Sequence, residues 1–287
     1  MKSKFLNSVC STIFVFLLKV LSILPLRIIH ILGAVVGEGF HFFKPKIKRT
    51  LVKNLEESGL YPERTVLDAA IKQNIREMGK TMLESMAVWG SSQQGVLAWI
   101  KEVHHVDLME AALKENKGVI FLTPHIGAFE ISSIYYAAKN PMTILYRPTR
   151  QACIDHSVQQ GRAKGQLTLA PTNATGVKKL LLALKRGEAI GILPDQIASK
   201  GDGEWASFFS RPAYTMTLVS KLVSRTDAAV IMAVVERLPH SRGFDIHLER
   251  LDNKALKTTG GLNHALEEKV RMYPLQYMWN YDRHKNP

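Results

Sequence analysis

A histidine followed five residues later by an acid occurs four times in the chain, and this spacing could supply a general base together with a carboxylate that orients it. With ten histidines and 25 acidic residues in 287 positions, about one such match is expected by chance, so the spacing alone identifies no site. The neighbouring residues must decide among the four pairs, which are His105/Glu110, His125/Glu130, His240/Asp245 and His247/Asp252.

His125 is the member of this set that directly follows a long apolar strand. The strand is GVIFLT at 118–123, and a helical pattern begins shortly after Gly127. Ligands of α/β folds usually bind where the strands end, and the start of a helix offers free N–H groups to a developing oxyanion. If Glu130 lies in the first helical turn, the chain can bring its carboxylate to the imidazole. The alternative is a histidine satisfied by a local hydrogen bond.

The sequence lacks the residue patterns that several other chemistries require. The chain has no G-x-S-x-G motif for a hydrolase nucleophile, and neither G-x-G-x-x-G nor a P-loop for nucleotide phosphates. Two cysteines, Cys10 and Cys153, are too few for a disulfide framework or a cysteine-rich zinc module, and they favour a reducing compartment. We interpret Cys153 as a packing residue rather than a nucleophile. No metal-ligand spacing stands out, so neither a metal nor a cofactor is expected.

The chain is strongly basic, with a formal net charge of +13 and a sequence pI of about 9.7. This charge predicts an anionic partner, such as nucleic acid, a membrane surface, a phosphorylated lipid or an acidic protein. Residues 139–187 contain nine basic residues and one acid, Asp155, which suits phosphate groups or an acidic carrier protein. The alternative for part of this cluster is a solvated helix face. Aromatic side chains are not interleaved with it, which argues against nucleic acid.

Apolar strands alternate with helical patterns from residue 118 onward. The patterns predict strands at 118–123, 142–146, 166–170, 188–193, 228–235, 244–250 and 276–281. They predict helices at 63–89, 128–138, 152–163, 177–186, 215–225 and 261–272. Such alternation predicts an α/β fold with a mixed central sheet flanked by helices.

Residues 5–43 form the most apolar long stretch, interrupted by Lys19, Arg27 and Glu38. A membrane span needs ~20 apolar residues. Because no small-x-small site closes a short apolar core, we expect a non-cleaved membrane-anchor helix rather than a signal peptide. The alternative is a buried amphipathic helix of a soluble domain. A basic segment follows the stretch and favours an anionic leaflet. We therefore predict an anchor region at 1–43 and a catalytic domain at 44–287.

Five blocks, in this order and spacing, resemble those of the lipid A biosynthesis acyltransferases, the late acyltransferases of the wider lysophospholipid acyltransferase family. The blocks are TPHIGAFE, YRPTRQACID, GEAIGILPDQ, FFSRPAYT and PLQYMWNYDRHK. The resemblance covers nearly the whole chain. It implies an enzyme at the bacterial inner membrane, with its catalytic domain on the cytoplasmic face. It also implies transfer of an acyl chain from acyl carrier protein to a hydroxyl of an anionic lipid A precursor.

The resemblance further implies a mechanism. His125 would be the general base that takes the hydroxyl proton, and Glu130 would hold the tautomer of the imidazole and offset its charge. The alkoxide would then attack the thioester directly, without an acyl-enzyme, a metal or a cofactor. Three further positions match the family blocks, and Arg162 falls where the family tends to carry another arginine; the resemblance implies that these four bind substrate phosphate, organise the site or shape the acceptor site. They are Arg147, Arg162, Asp195 and Gln196.

Two other functions stay open at this point. One is an acyltransferase that uses a different acceptor, such as a phospholipid, an ornithine lipid or a glycolipid. The other is a basic protein without catalytic activity that binds a membrane surface or nucleic acid. The second alternative predicts that replacing His125 leaves the biological role intact.

Overall fold

A seven-stranded mixed sheet forms the centre of the fold in the computed structural model, which describes residues 2–149 and 151–287, apart from the side chains of residues 2–7 and 41. The described strands are β1 (Ile100–His104), β2 (Val119–Leu122), β3 (Met142–Tyr146), β4 (Leu167–Pro171), β5 (Ala189–Ile192), β6 (Gly203–Phe208), β7 (Arg211–Met216), β8 (Ala229–Arg237) and β9 (Phe244–Arg250). The order in the sheet is β1-β9-β8-β2-β5-β3-β4. Only the β8–β9 pair is antiparallel among these neighbours, while β6 and β7 form a separate hairpin. The predicted mixed sheet is thus confirmed.

Helices cover both faces of this sheet. Those of the described chain are α1 (Lys2–Ile23), α2 (Leu26–Phe43), α3 (Pro45–Glu57), α4 (Arg64–Gly90), α5 (Gln93–Leu97), α6 (Val106–Lys114), α7 (Glu130–Ala137), α8 (Ala152–Arg162), α9 (Ala174–Lys185), α10 (Leu218–Arg225) and α11 (Thr259–Met272). Ile120 and Leu122 of β2 face the core under α9, α10 and α11, whereas Val119 and Phe121 face the core under α6 and α7. Burial on both faces explains why this strand is a continuous apolar run.

The strand predicted at 276–281 is wrong. Within that segment Tyr277 makes one isolated bridge with Ile126, and the rest is irregular. Tyr277 and Trp279 alternate with less buried residues as in a strand, but backbone carbonyls of the segment accept hydrogen bonds from side chains, not from a neighbouring strand. Strand β1, with the polar sequence IKEVH, and the β6–β7 hairpin were not predicted.

The N-terminal stretch forms two helices, α1 and α2, which meet at Pro25 and pack on α4. Glycines allow α2 and α4 to approach closely, because a Cβ atom on Gly79 would lie 2.0 Å from the carbonyl oxygen of Gly33. A disulfide joins Cys10 of α1 to Cys153 of α8, so the interpretation of Cys153 as an unpaired packing residue was wrong.

None of the described helices is alone both long and apolar enough to cross a membrane. The pair Leu26–Phe40 and Pro45–Glu57 has a suitable combined length and composition, but it bends by 98° at the break. The single anchor helix expected from the sequence is therefore unconfirmed, and the division at residue 43 stays a prediction.

A buried ion cluster connects α2 and α4 to the end of β8. The guanidinium of Arg237 donates to the carboxylates of Glu84 and Glu77 and, at 2.8 Å, to the hydroxyl of Thr81. The Nε2 atom of His30 lies 2.7 Å from Glu84. Burial opposes ionisation of Glu84, but the charge and hydrogen bonds of Arg237, assisted by His30, lower its pKa to about 2.

Replacing Arg237 by Met should lower the free energy of unfolding by about 3–5 kcal/mol, because two buried carboxylates would lose the guanidinium that they share. Arg250→Met is the matched control. Arg250 pairs with Glu115 at the surface, with side chains 41% and 33% exposed, so its loss should cost at most about 1 kcal/mol. Chemical denaturation followed by circular dichroism measures both, and equal costs would contradict the assignment of the cluster as a structural anchor.

Candidate functional site

Two neighbouring parallel strands carry the centre of the site. Leu122 of β2 lies opposite Ile192 of β5, and the N–H of Thr123 donates to the carbonyl of Ile192 at 3.0 Å. The chain therefore leaves both strands at the same edge of the sheet. This arrangement brings His125, three residues after β2, next to Asp195, three residues after β5.

Asp195 holds both the ring and the backbone of His125. Its Oδ1 atom lies 2.8 Å from Nδ1 of the imidazole, and its Oδ2 atom accepts the backbone N–H of His125 at 2.9 Å. The Asp195 side chain is 3% exposed. Burial raises the pKa of this carboxyl, but the charge and two hydrogen bonds of His125, with a contribution from Arg283, outweigh burial and hold the pKa below its usual value.

The contact with Asp195 assigns the tautomer of the imidazole. An ionised carboxylate only accepts hydrogen bonds, so Nδ1 carries a proton and Nε2 of the neutral ring has a free lone pair. The side-chain amide nitrogen of Gln196 lies 3.4 Å from Nε2, on the exposed side of the ring. Phe129 packs against the ring at a centroid distance of 4.5 Å. His125 is thus a fixed imidazole whose basic nitrogen faces outward, as a general base requires.

The C-terminal segment, residues 275–281, forms backbone hydrogen bonds with the loop that carries His125. The N–H of Met278 donates to the carbonyl of His125 at 3.1 Å, and the N–H of Gly127 donates to the carbonyl of Gln276 at 3.1 Å. Gly127 has a φ of +56°, and a Cβ atom there would lie 2.0 Å from the carbonyl oxygen of Val235. Both constraints demand glycine at this position.

Two buried asparagines position that C-terminal segment. The amide of Asn54 in α3 donates to the carbonyls of Trp279 and Tyr281 at 2.8 and 3.1 Å. The amide of Asn74 in α4 donates to the carbonyls of Leu275 and Tyr277, both at 2.8 Å. Helices α3 and α4 therefore fix the C-terminal segment, which in turn contacts the His125 loop.

Glu130 does not make the contact that the sequence analysis expected. No hydrogen bond joins it to His125 among the residues that the structure describes; instead its carboxylate accepts from Nε and Nη2 of Arg162, with Nε at 3.0 and 3.1 Å from the two oxygens. Burial disfavours the charge of Arg162, but Glu130 outweighs this and raises the pKa of the guanidinium. The expected orienting partner of His125 is thus corrected to Asp195, which the sequence analysis had placed among the residues that shape the acceptor site.

The remaining expected site residue, Arg147, lies just after β3 and is exposed. Its side chain approaches the hydroxyl of Ser199 at 3.5 Å. A cavity of about 280 Å³ lies at the opposite ends of the strands, beside Met142 and Glu188, and does not include His125. Of the six expected residues, the structure therefore brings together His125, Asp195 and Gln196, and separately Glu130 and Arg162.

Comparison with known proteins shows which family the chain belongs to. Residues 2–286 match the family model described as bacterial lipid A biosynthesis acyltransferase. The chain belongs to this family. It is 24% identical over 270 residues to the lipid A biosynthesis palmitoleoyltransferase of Escherichia coli (strain K12), covering 91% of this chain and 86% of the relative. It is 23% identical over 271 residues to the lipid A biosynthesis lauroyltransferase of the same organism, covering 91% and 87%.

A residue of this acyltransferase that the sequence analysis missed is Arg283. It is 2% exposed, and it donates to the carbonyl of Pro194 at 3.4 Å and to the side chains of Asn263 and Thr215. Its guanidinium carbon lies 4.7 Å from the ring centroid of Phe208. Arg283 makes no ion pair within the described chain, and it stabilises the negative charge of Asp195. Its place in the block PLQYMWNYDRHK was the available signal, but its charge alone did not distinguish it from Asp282 and Lys285 in the same block.

The lowered pKa of Asp195 predicts a pH dependence of stability. Because the folded-state pKa lies below the usual 3.8, the stabilisation is present above that value and is lost as the pH falls through the folded-state pKa. As the pH falls from 6 into the acid range, the free energy of unfolding of the Asp195→Asn variant should therefore decrease less than that of wild type. Asp227→Asn is the control, since Asp227 is exposed. Urea midpoints measured against pH decide the question, and identical pH slopes for wild type and Asp195→Asn would count against the assigned contact.

Proposed function

We propose that this chain transfers a fatty acyl group from acyl carrier protein to a hydroxyl of a lipid A precursor, with His125 as the general base and Asp195 as its positioning residue. Membership of the lipid A acyltransferase family supports acyl transfer in lipid A biosynthesis. The observation that carries the mechanism is the contact of Nδ1 with the buried Asp195 carboxylate, which leaves Nε2 basic and directed outward.

The proposed step is a direct displacement. Nε2 of His125 removes the proton of the acceptor hydroxyl while its oxygen attacks the thioester carbonyl, forming a C–O bond and a tetrahedral oxyanion. The oxyanion collapses, the C–S bond breaks, and the departing sulfur takes the proton from the imidazolium. The ester and the free carrier thiol are the products. Asp195 stays ionised throughout and stabilises the imidazolium that forms in between.

The two arginines receive different proposed roles. Arg162 is held by Glu130 and packs against Trp89 and Tyr146, with its guanidinium carbon 5.5 and 5.6 Å from their ring centroids. A side chain with so many fixed neighbours is suited to organising the site. Arg147 is exposed, so its guanidinium is available for a phosphate group of the lipid or for the acidic carrier protein.

His125→Ala should lower the rate of transfer by about 10²–10⁴-fold, because the hydroxyl would lose its proton acceptor. Asp195→Asn should lower kcat more than it changes KM, since it alters the tautomer rather than substrate binding. His264→Ala is the matched control, an exposed histidine on α11 that is 3.6 Å from Glu268. Transfer from radiolabelled acyl carrier protein to purified lipid A precursor provides the measurement.

The same assay separates the alternatives. Labelling of a phospholipid, an ornithine lipid or a glycolipid in preference to the lipid A precursor would change the acceptor but keep the mechanism. Full transfer by the His125→Ala enzyme would rule out His125 as the general base. An inactive wild-type protein that binds anionic vesicles or polynucleotide would favour the non-catalytic alternative.

We also propose that α1 and α2 attach the enzyme to the inner membrane. Several of their large apolar side chains are exposed, including Ile13 (62%), Phe16 (67%), Ile23 (81%), Ile31 (54%) and Val35 (62%). Apolar patches of this kind commonly mark membrane or partner surfaces. Lys44, Lys46 and Lys48 follow α2 and could contact anionic headgroups.

A double variant, Phe16→Glu with Ile31→Glu, should reduce partitioning to anionic vesicles by more than about tenfold, because two apolar side chains that would enter the bilayer are exchanged for charges. Leu182→Glu is the control, an exposed apolar residue on α9 (43%) outside this patch. Co-sedimentation measures the bound fraction. Unchanged partitioning of the double variant would refute attachment through α1 and α2.

We further propose that the catalytic domain lies on the cytoplasmic side of that membrane, since the proposed donor, acyl carrier protein, is expected in the cytosol. One observation opposes it: disulfides such as Cys10–Cys153 are rare in reducing compartments. Protease treatment of spheroplasts distinguishes the cytoplasmic from the periplasmic side. We expect the inner membrane to shield the catalytic domain from the protease.

A further inference from the structure

Two histidines and three carboxylates meet on the strands β1, β9 and β8, outside the His125 site. In the sheet register Asp245 lies beside both Glu102 and Glu236, and His104 lies beside His247 in the next row. Residues two apart on a strand project from the same face, so the two rows form one group of side chains. We call this group the β1–β9 cluster.

The members of the β1–β9 cluster are in direct contact. Nε2 of His104 lies 3.1 Å from Asp245 and its Nδ1 lies 3.4 Å from Glu102. Nε2 of His247 lies 2.9 Å from Glu236. The two imidazole rings stack with centroids 4.5 Å apart and an angle of 9° between their planes.

The cluster carries more acid than base. Across the described part of the chain, no lysine or arginine forms an ion pair with Glu102, Asp245 or Glu236, and Lys269 on the adjoining helix pairs with Glu249 instead. The ring centroid of Tyr273 lies 5.6 Å from that of His247.

We propose that His104, Asp245 and His247 bind a divalent ion of the zinc class, with Glu236 beside the third ligand. Their potential ligand atoms all lie within 4.8 Å of one another. Tetrahedral zinc with bonds of about 2.0–2.2 Å needs ligand atoms about 3.3 Å apart, so the stacked imidazoles must rotate until their ring nitrogens point at one ion. Two imidazoles with a carboxylate favour zinc, nickel, cobalt or copper over magnesium or calcium.

The three side chains are 31%, 16% and 29% exposed, which leaves an entry path for the ion. Binding would crosslink the edge strand β1 to β9 and stabilise that end of the sheet. The site lies outside the acyl-transfer machinery, so the proposal is independent of the proposed function. Sequence spacing could not indicate it, because His104 and Asp245 are 141 residues apart.

The test is a titration of the tag-free full-length protein in detergent with zinc chloride after treatment with a chelator. Isothermal titration calorimetry gives affinity, and metal analysis after gel filtration gives the content per chain. We expect one zinc ion per chain that excess magnesium does not displace. Asp245→Asn and His247→Ala should each weaken binding by at least about tenfold, since even residues that only support a ligand have effects of about 10–100-fold.

His264→Ala serves as the control, because His264 also lies near a carboxylate but outside the β1–β9 cluster. Circular dichroism establishes that each variant is folded. Absence of saturable zinc binding in the wild-type protein overturns the proposal without reference to any variant. Unchanged affinity in both Asp245→Asn and His247→Ala, or an equal loss in His264→Ala, overturns it as well.

Discussion

The hydrogen bonding of one imidazole to one buried carboxylate is the constraint on which the rest of the site depends. Asp195 accepts hydrogen bonds from the ring and from the backbone of His125, so it orients the side chain and the loop at once. A carboxylate that is nearly excluded from water needs such donors, and it gains further stabilisation from the buried charge of Arg283. The outward direction of Nε2 is a consequence of these contacts, and the proton abstraction proposed above requires that direction.

The arrangement uses distant parts of the chain to fix one loop. Strands β2 and β5 end together and bring His125 to Asp195, whereas the C-terminal segment covers the loop from the other side. Asn54 and Asn74 connect that segment to α3 and α4 through the backbone carbonyls it would otherwise leave unpaired. A loop supported in this way is held by rigid elements, as the general base of the proposed function must be.

The N-terminal helices contribute to the same framework while exposing apolar surface. Close contact between glycines in α2 and α4 and the buried group of Arg237, Glu84 and Glu77 attach them to the sheet. The outer faces of α1 and α2 remain apolar and exposed. Under the proposed function, the same helices would connect the catalytic sheet to the membrane that contains its acceptor.

The sequence by itself determined most of the layered fold, since β2, β3, β5 and β8 are apolar enough to be recognised without neighbours and the helices between them have clear periodicity. It also singled out His125 as a candidate base from its place after a buried strand. It misassigned 276–281 as a strand, because alternating burial there reflects packing on the site and not pairing in a sheet. Only the tertiary structure decided that Asp195, and not Glu130, holds the imidazole, and that Arg283 lies behind it. The physical reason is that strand order in the sheet sets which loops are adjacent, and residues distant in the chain become neighbours through pairings that local spacing does not encode.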